Sequence, residues 1–461
     1  MSDKELIGAR PAGGGVQHFW LPPGTPRLPR VARAEGVYIW DTDGNRYLDM
    51  TSGPVAVNLG HGNAAVIAAM HEQARRVCFS YPAYLESEAN TQLADLLTTQ
   101  AGPGHDRAFF VSSGAEAVEK AIEFARLHAV ARAESSRCKV ISRLPAFHGS
   151  TLATQALSED PENSSLQPML QHCPRVPVPF SYRPPPGLTH VEDAARCAEA
   201  LRETIEREGP ESILAFILEP VMGLTGGANH APPGYYKRIR EICTAYGVTL
   251  IHDEVMSGSG RCGRFLASHR WPDSRPDLVV LAKGLGSGYH PIAGFLAPNA
   301  MVETVVAAGG FHFGHTQKSS PLACAVGLAV LEETLERNLA GRAEQNGELL
   351  RQKLRGLQQE ISIIGDVRGV GMFNAIEIVA DPHSKAMLPR TLDVPKDLSQ
   401  LGREHGLLIY ARRTYAGRFG DWIMVTPPLI IEPVELDELI DKLGSTLRTY
   451  ENQLRRAGHV A

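Results

Sequence analysis

A chain of 461 residues, 43% hydrophobic and 21% charged, has the length for two or three domains and the balance of a globular protein with a large core. Its formal charge of −5 and pI near 6.4 leave no basic footprint, which argues against a nucleic-acid partner. The seven cysteines (Cys78, Cys138, Cys173, Cys197, Cys243, Cys262 and Cys324) are scattered without a Cys-x-x-Cys pair, so buried reduced thiols are expected rather than disulfides or a zinc site. Charges of both signs between Met1 and Arg10, and no apolar run near the ~20 residues that span a bilayer, lead to the expectation of a cytoplasmic protein with no signal peptide and no membrane partner.

The first 35 residues, rich in Gly and Pro, read as an irregular lead-in. Val37–Trp40, a turn over Asp41–Asn45, and Arg46–Asp49 predict a hairpin. From about Ala64 to Glu360, helical patterns alternate with short apolar runs. Buried strands are expected at Ala108–Val111, Lys139–Ser142, Ile213–Leu218, Thr249–Ile251 and Leu278–Leu281. Strands that are apolar throughout and separated by helices indicate a mostly parallel sheet covered on both faces. The stretch Pro174–Pro186 reads as a proline-dense surface loop. A long polar helix is expected from about Leu331 to Gln358, then a hairpin over Asp366–Ile378. A last helix from Pro433 aligns Leu436, Leu439, Ile440, Leu443, Leu447, Tyr450 and Leu454 on one face. Its polar face is mixed in sign, which favours docking on the protein's own sheet over a membrane surface. The expected fold class is α/β. A large domain over 61–330 carries the helix-sandwiched sheet, and a smaller α+β domain is built from both ends, 1–60 and 331–461.

Open α/β sheets bind ligands beyond the carboxyl ends of their strands, and five segments fall there. Lys283 stands where the apolar run Leu278–Leu281 gives way to glycines; burial there lowers an amine's pKa and favours a Schiff-base role, while a solvated strand-end lysine is the plain alternative. Ser112-Ser113-Gly114-Ala115-Glu116 opens a helix running to about Glu134, where exposed N–H groups suit a phosphate or a serine simply caps the helix. In Phe147-His148-Gly149-Ser150 an aromatic ring beside a glycine can lie flat on a planar ligand, or only pack a loop. Glu219 ends an apolar strand, as does Asp253, and a carboxylate in such a place needs a partner. Alternation sends one of Asp253 and Glu254 into the site and the other away. No metal-ligand spacing accompanies them, so no metal is expected. Gly258-Ser259-Gly260-Arg261-Cys262-Gly263 matches G-x-G-x-x-G, but Trp271-Pro272 and Arg275-Pro276 preclude the long helix a dinucleotide site needs, and a nicotinamide oxidoreductase is the weaker reading.

In this order the segments resemble the class III family of pyridoxal-phosphate-dependent aminotransferases, whose fold is that of aspartate aminotransferase (fold type I), from about Gly36 to Lys442. The resemblance implies pyridoxal 5'-phosphate as cofactor, carried on Lys283, with Asp253 facing the pyridinium nitrogen and Val255 packed against the ring. It implies phosphate contacts from Gly114 and Ala115 in the Ser113 turn, ring packing by Phe147 next to His148 where the family commonly has Tyr, and Glu219 near the cofactor. Thr316 is similar to the threonine that reaches the cofactor phosphate of the other subunit, which implies a homodimer or a tetramer built from it. Gln317-Lys318-Ser319-Ser320 departs from the family's pattern, and Lys318 reads as a surface residue with a substrate contact as the alternative. Ser52 and Pro54 match the part that lines the substrate entrance. Arg412, with Arg413 and Arg418 as alternatives, falls near the arginine that holds a substrate carboxylate. The implied activity is amino transfer from an amine or (ω-)amino acid to a keto acid or aldehyde, with a lyase, aminomutase or racemase of the same fold as the alternative.

Overall fold

The structure, a computed structural model, describes residues 28–158, 165–312 and 314–460. Most of the expected lead-in, with its charged N-terminus, lies outside the described residues. Its tail is not irregular: β1 (Val31–Glu35) pairs antiparallel with β2 (Tyr38–Asp41), and β2 with β3 (Arg46–Asp49). The β2–β3 pair is the expected hairpin. Asp41 closes it by accepting N–H groups of Asp43 at 3.0 Å and Asn45 at 2.8 Å, a side-chain-to-backbone turn that aspartate favours.

Seven strands form the main sheet: β4 (Arg107–Val111), β5 (Lys139–Leu144), β6 (Arg175–Pro177), β7 (Ile213–Leu218), β8 (Thr249–Asp253), β9 (Leu278–Leu281) and β10 (Ala293–Ala297). Their spatial order is β4-β10-β9-β8-β7-β5-β6. Neighbours from β9 to β6 are parallel, and β7 and β9 are buried at every residue. Along β7 the residues alternate between faces. Phe216 and Leu218 join a core with Tyr235 and Ile239 of helix Pro233–Tyr246, while Ala215 and Ile217 join one with Val118 and Phe124 of helix Gly114–Ala131. Continuous apolar runs follow from burial on both faces.

Two strands depart from expectation. The proline-dense stretch is not all surface loop: β6 lies in it, Val176 and Val178 are buried, and the strand takes the sheet edge, where a proline's missing N–H is tolerated. β10 inserts antiparallel between β4 and β9. It approaches β4 so closely that a Cβ on Gly294 would lie 2.3 Å from the Phe109 carbonyl oxygen. Because β4 and β9 both oppose β10, their carboxyl ends emerge on the same side as those of β5, β7 and β8.

The expected helix over 331–358 is two helices, Pro321–Glu336 and Leu339–Glu360, separated by Asn338 in the left-handed region at φ 46°. Beyond them β11 (Ile364–Val370) and β12 (Phe373–Ile378) form the predicted hairpin. After β13 (Leu407–Leu408), the strands β14 (Tyr410–Arg413) and β15 (Asp421–Val425) complete a sheet of order β11-β12-β15-β14. β13 instead pairs parallel with β3, so the chain's two ends share one sheet. The final helix, Pro433–Arg456, buries Leu436, Leu439, Leu443, Leu447, Tyr450 and Leu454 as expected, with Ile440 half-buried. All seven cysteines are free, but only Cys197, Cys243, Cys262 and Cys324 are buried; Cys78 and Cys138 are exposed, contrary to expectation. Among the described residues no helix is long and apolar enough to cross a membrane, and no group of side chains is arranged to hold a metal.

Asn338 is exposed, so its substitution tests the backbone alone. Asn338→Val should lower the stability to denaturant by about 1–2 kcal/mol, and Asn338→Gly should not, measured as the shift in unfolding midpoint.

Candidate active site

The carboxyl ends of the parallel strands, with the loops that follow them, enclose a cavity of about 430 Å³, within the range of cofactor and small-ligand sites. Asp253, at the tip of β8, is 5% exposed and forms part of its wall. Its Oδ2 lies 2.7 Å from Nδ1 of His148, and its Oδ1 accepts the N–H of Val255 at 3.1 Å. With Asp253 ionised, Nδ1 of His148 carries the proton and donates it, which leaves Nε2 as a buried acceptor with no partner among the described residues. His148 is itself held by its backbone N–H, which donates to Ser158 Oγ at 2.7 Å. Glu254 turns the other way, as alternation requires: its carboxylate accepts the N–H groups of Ala267 at 2.5 Å and Ser268 at 2.9 Å, and burial pushes its pKa up to about 7.

Glu219, at the tip of β7, ties two loops together. It accepts the N–H of Phe147 at 3.2 Å and that of Gly223 at 3.0 Å, and burial raises its pKa. Buried Arg143 donates to its carbonyl at 2.5 Å. Across the cavity, helix Gly114–Ala131 starts with a capping box. Ser113 Oγ accepts the N–H of Glu116 at 3.4 Å, and Glu116 Oε2 accepts those of Ser112 at 3.0 Å and Ser113 at 2.9 Å. The serine is therefore a helix cap. The N–H groups of Gly114 and Ala115, which have no intrahelical acceptor, stand at the cavity wall. Space at Gly114 is tight: a Cβ would lie 3.2 Å from both Val255 methyls, which would have to give by a few tenths of an ångström. Gly149, at φ 140°, lets the Phe147 loop close on Ala115, whose Cβ would be 2.7 Å from an added one.

Lys283 leaves β9 in the left-handed region, at φ 44°, and its Nζ donates to the Pro54 carbonyl at 2.8 Å. Burial lowers its pKa to about 8 against the raising fields of Asp253 and Glu219, although the side chain keeps some solvent contact. Pro54 thus meets the lysine through its backbone. Ser52, expected at the substrate entrance, is turned inward: it is fully buried, and its hydroxyl donates to the Thr426 carbonyl at 2.7 Å. Thr316 is exposed on a turn and does not reach this chain's cavity. The Lys318 ammonium sits 5.1 Å from the centroid of the Tyr81 ring. Of the three arginines, Arg413 is bound through Nε and Nη2 to Asp421, each at 2.6 Å, and Arg418 lies over Phe419. Arg412 is half-buried, lies 5.5 Å from the Tyr410 centroid, and has no carboxylate within ion-pairing distance among the described residues.

Met256, His290 and Ile292 also line the cavity without having been anticipated, as no local pattern marks them. Arg143 and Ser158, which hold Glu219 and His148, are likewise invisible until the strands are aligned. The glycine-rich match at 258–263 opens no helix, and only short 3₁₀ turns follow it. The residues present fit pyridoxal phosphate. A buried carboxyl group faces the cavity, two N–H groups are available at a helix start, glycines clear the wall, and an amine lies opposite.

The sequence matches the Aminotransferase class-III family over residues 23–447. It is 35% identical over 434 residues to the uncharacterized aminotransferase YodT of Bacillus subtilis, covering 93% of this chain and 97% of that protein. It is 32% identical over 422 residues to the putrescine–pyruvate aminotransferase of Pseudomonas aeruginosa, covering 89% and 88%. A thermostable (S)-enantioselective omega-transaminase from Thermomicrobium roseum has the same fold, with a TM-score of 0.86, 35% identity, and coverage of 94% and 96%. The chain belongs to the class-III aminotransferases and is, with them, a pyridoxal-phosphate-dependent aminotransferase.

Proposed function

We propose that the protein moves an amino group from an amine or ω-amino acid to a keto acid or aldehyde in two half-reactions, with Lys283 as the working amine. The observation that carries this is the Lys283 amine itself, lowered by burial and facing Asp253 and Glu219 across the cavity. A neutral amine near physiological pH can both hold a carbonyl group and take a proton. Pyridoxal phosphate, when bound, supplies the electron sink for the bond-breaking step. The remaining work falls to the chain. Gly114 and Ala115 bind the phosphate through their N–H groups, and Phe147 and Val255 hold the ring. Asp253, oriented by His148, keeps a proton on the ring nitrogen. Lys283 Nζ takes the proton from the substrate carbon and returns it to the product, steered by the Pro54 carbonyl.

Arg412 is the candidate for a substrate carboxylate, supported by a guanidinium that lacks an acidic partner among the described residues. An ω-amine or ω-amino acid donor is supported by the relatives named putrescine–pyruvate aminotransferase and gamma-aminobutyrate transaminase. Aminotransferase relatives also favour amino transfer over the lyase, aminomutase and racemase alternative. A homodimer, with Thr316 reaching the other subunit's cofactor phosphate, is supported by the exposed apolar residues Val77, Phe79, Tyr84 and Leu85 beside Tyr81, a surface that calls for cover. Seven free cysteines suit a cytoplasmic setting. The three sheets suit a large domain over 61–330 flanked by a small one from both ends.

Incubation with a panel of amines and ω-amino acids plus pyruvate or 2-oxoglutarate should yield a second amino acid; donor loss without that product would sink the reading. Lys283→Ala should remove the visible absorbance of the bound cofactor and slow transfer at least ~100-fold. In the cofactor-free protein, acylation of Lys283 should titrate with a midpoint of about 8, far below that of surface lysines. Arg412→Ala should raise KM for carboxylate-bearing substrates about 10- to 100-fold, on the order of 1.5–3 kcal/mol, while simple amines react unchanged.

A further inference from the structure

Arg261 is 1% exposed, and no carboxylate lies within ion-pairing distance of it among the described residues. A cation in the core is costly unless acceptors surround it. Here the two ends of the guanidinium serve different parts of the chain. Nη1 donates to the carbonyls of Pro427 at 2.6 Å and Met372 at 3.4 Å. Nη2 donates to Asn58 Oδ1 at 2.7 Å and Ser52 Oγ at 3.3 Å.

Ser52 and Asn58 are the two ends of one loop, and that loop holds Lys283. It passes through left-handed residues at Ser52, Gly53 and Val55, with φ of 51°, 61° and 63°. Serine and valine adopt this conformation only when surrounding contacts impose it. Midway, the Pro54 carbonyl accepts from Lys283 Nζ. The same loop grips the turn after the lysine. Asn58 Nδ2 lies 2.4 Å from where a Cβ on Gly284 would stand, and the N–H of Leu59 donates to Ser287 Oγ at 2.8 Å. Lys283 and Ser287 are left-handed too, at φ 44° and 47°. Two strained loops therefore brace each other, and the guanidinium fastens one of them to the core.

We propose that Arg261 is a positioning residue for Lys283: by holding Ser52 and Asn58 it keeps the Pro54 carbonyl on the lysine amine and the loop closed over it, without touching substrate or cofactor. The inference rests on Lys283 being the working amine. A lysine at position 261 would carry the charge but not the planar fork that reaches both sides at once.

The test compares full-length wild type with Arg261→Lys and with Ser52→Ala, which removes one anchor and leaves the arginine. In cofactor-free protein, the pH dependence of Lys283 acylation by acetic anhydride is followed by peptide mass spectrometry. Asp253 and Glu219, the charged groups facing the amine, are unaltered in both variants. The Lys283 midpoint should climb from about 8 toward the ordinary lysine value of ~10.4 as water enters under the loosened loop, with other lysines unmoved. In the holoenzyme, kcat should fall about 10- to 100-fold with KM for the donor little changed. A Lys283 midpoint that stays at the wild-type value while the melting temperature drops would reduce Arg261 to a core residue and overturn the proposal. If Arg261→Lys does not fold, Ser52→Ala carries the same two outcomes. Wild type that neither binds pyridoxal phosphate nor transfers amino groups would instead refute the proposed function, and the labelling profile would still report on Arg261.

Discussion

Asp253 stands almost unexposed at the tip of a strand that is buried from Leu250 onward. An ionised carboxyl there costs several kcal/mol unless donors meet it. The chain supplies two: the backbone of Val255, which turns β8 out of the sheet, and the ring of His148, delivered by the loop after β5. Each requirement reaches further. His148 needs Ser158 to hold its backbone, and Phe147, the residue before it, needs Glu219 to hold its own. Val255 lies against the Gly114 turn, where a side chain would have little room. One buried charge thus sets the positions of four loops, and the lysine on the neighbouring strand feels it as the field that limits how far burial lowers its pKa.

The strands legible in the sequence were those buried on both faces. Ile213–Leu218 and Leu278–Leu281 have the predicted bounds because a run apolar at every residue has no other comfortable place. β10 is equally buried but contains Gly294 and is flanked by Pro291 and Pro298, so its propensity signal is that of a loop. Only the space between β4 and β9 makes it a strand. β6 hid among prolines for the related reason that an edge position forgives them. Asn338 divided a helix that the periodicity joined, since a single left-handed residue leaves the apolar spacing on both sides nearly undisturbed.

The cavity wall was more legible than the groups behind it. Lys283, Asp253, Glu219, His148 and the Gly114 turn each follow directly on an apolar strand or open a helix, so their place was implied once the sheet was. Ser52 shows where that reasoning ends: the sequence suggested the substrate entrance, but the residue is buried and the direction of its hydroxyl depends on Thr426, hundreds of residues away. Arg261 drew notice only as part of a glycine motif that has no function here. Its partners come from both ends of the chain, and no local pattern foretells such a meeting.

That Ser52 ends on Thr426 bears on the order in which the protein acquires its parts. The seven-stranded sheet is complete in sequence by Ala297, whereas the brace on Lys283 needs the carbonyls of Thr426 and Pro427. During synthesis the sheet can therefore assemble long before the amine is held in place. Contacts of such sequence separation are slow to close. The contacts that fasten the Pro54 loop over the lysine are the last of its surroundings to appear in the sequence. Reactivity in this molecule is among the last things to fold.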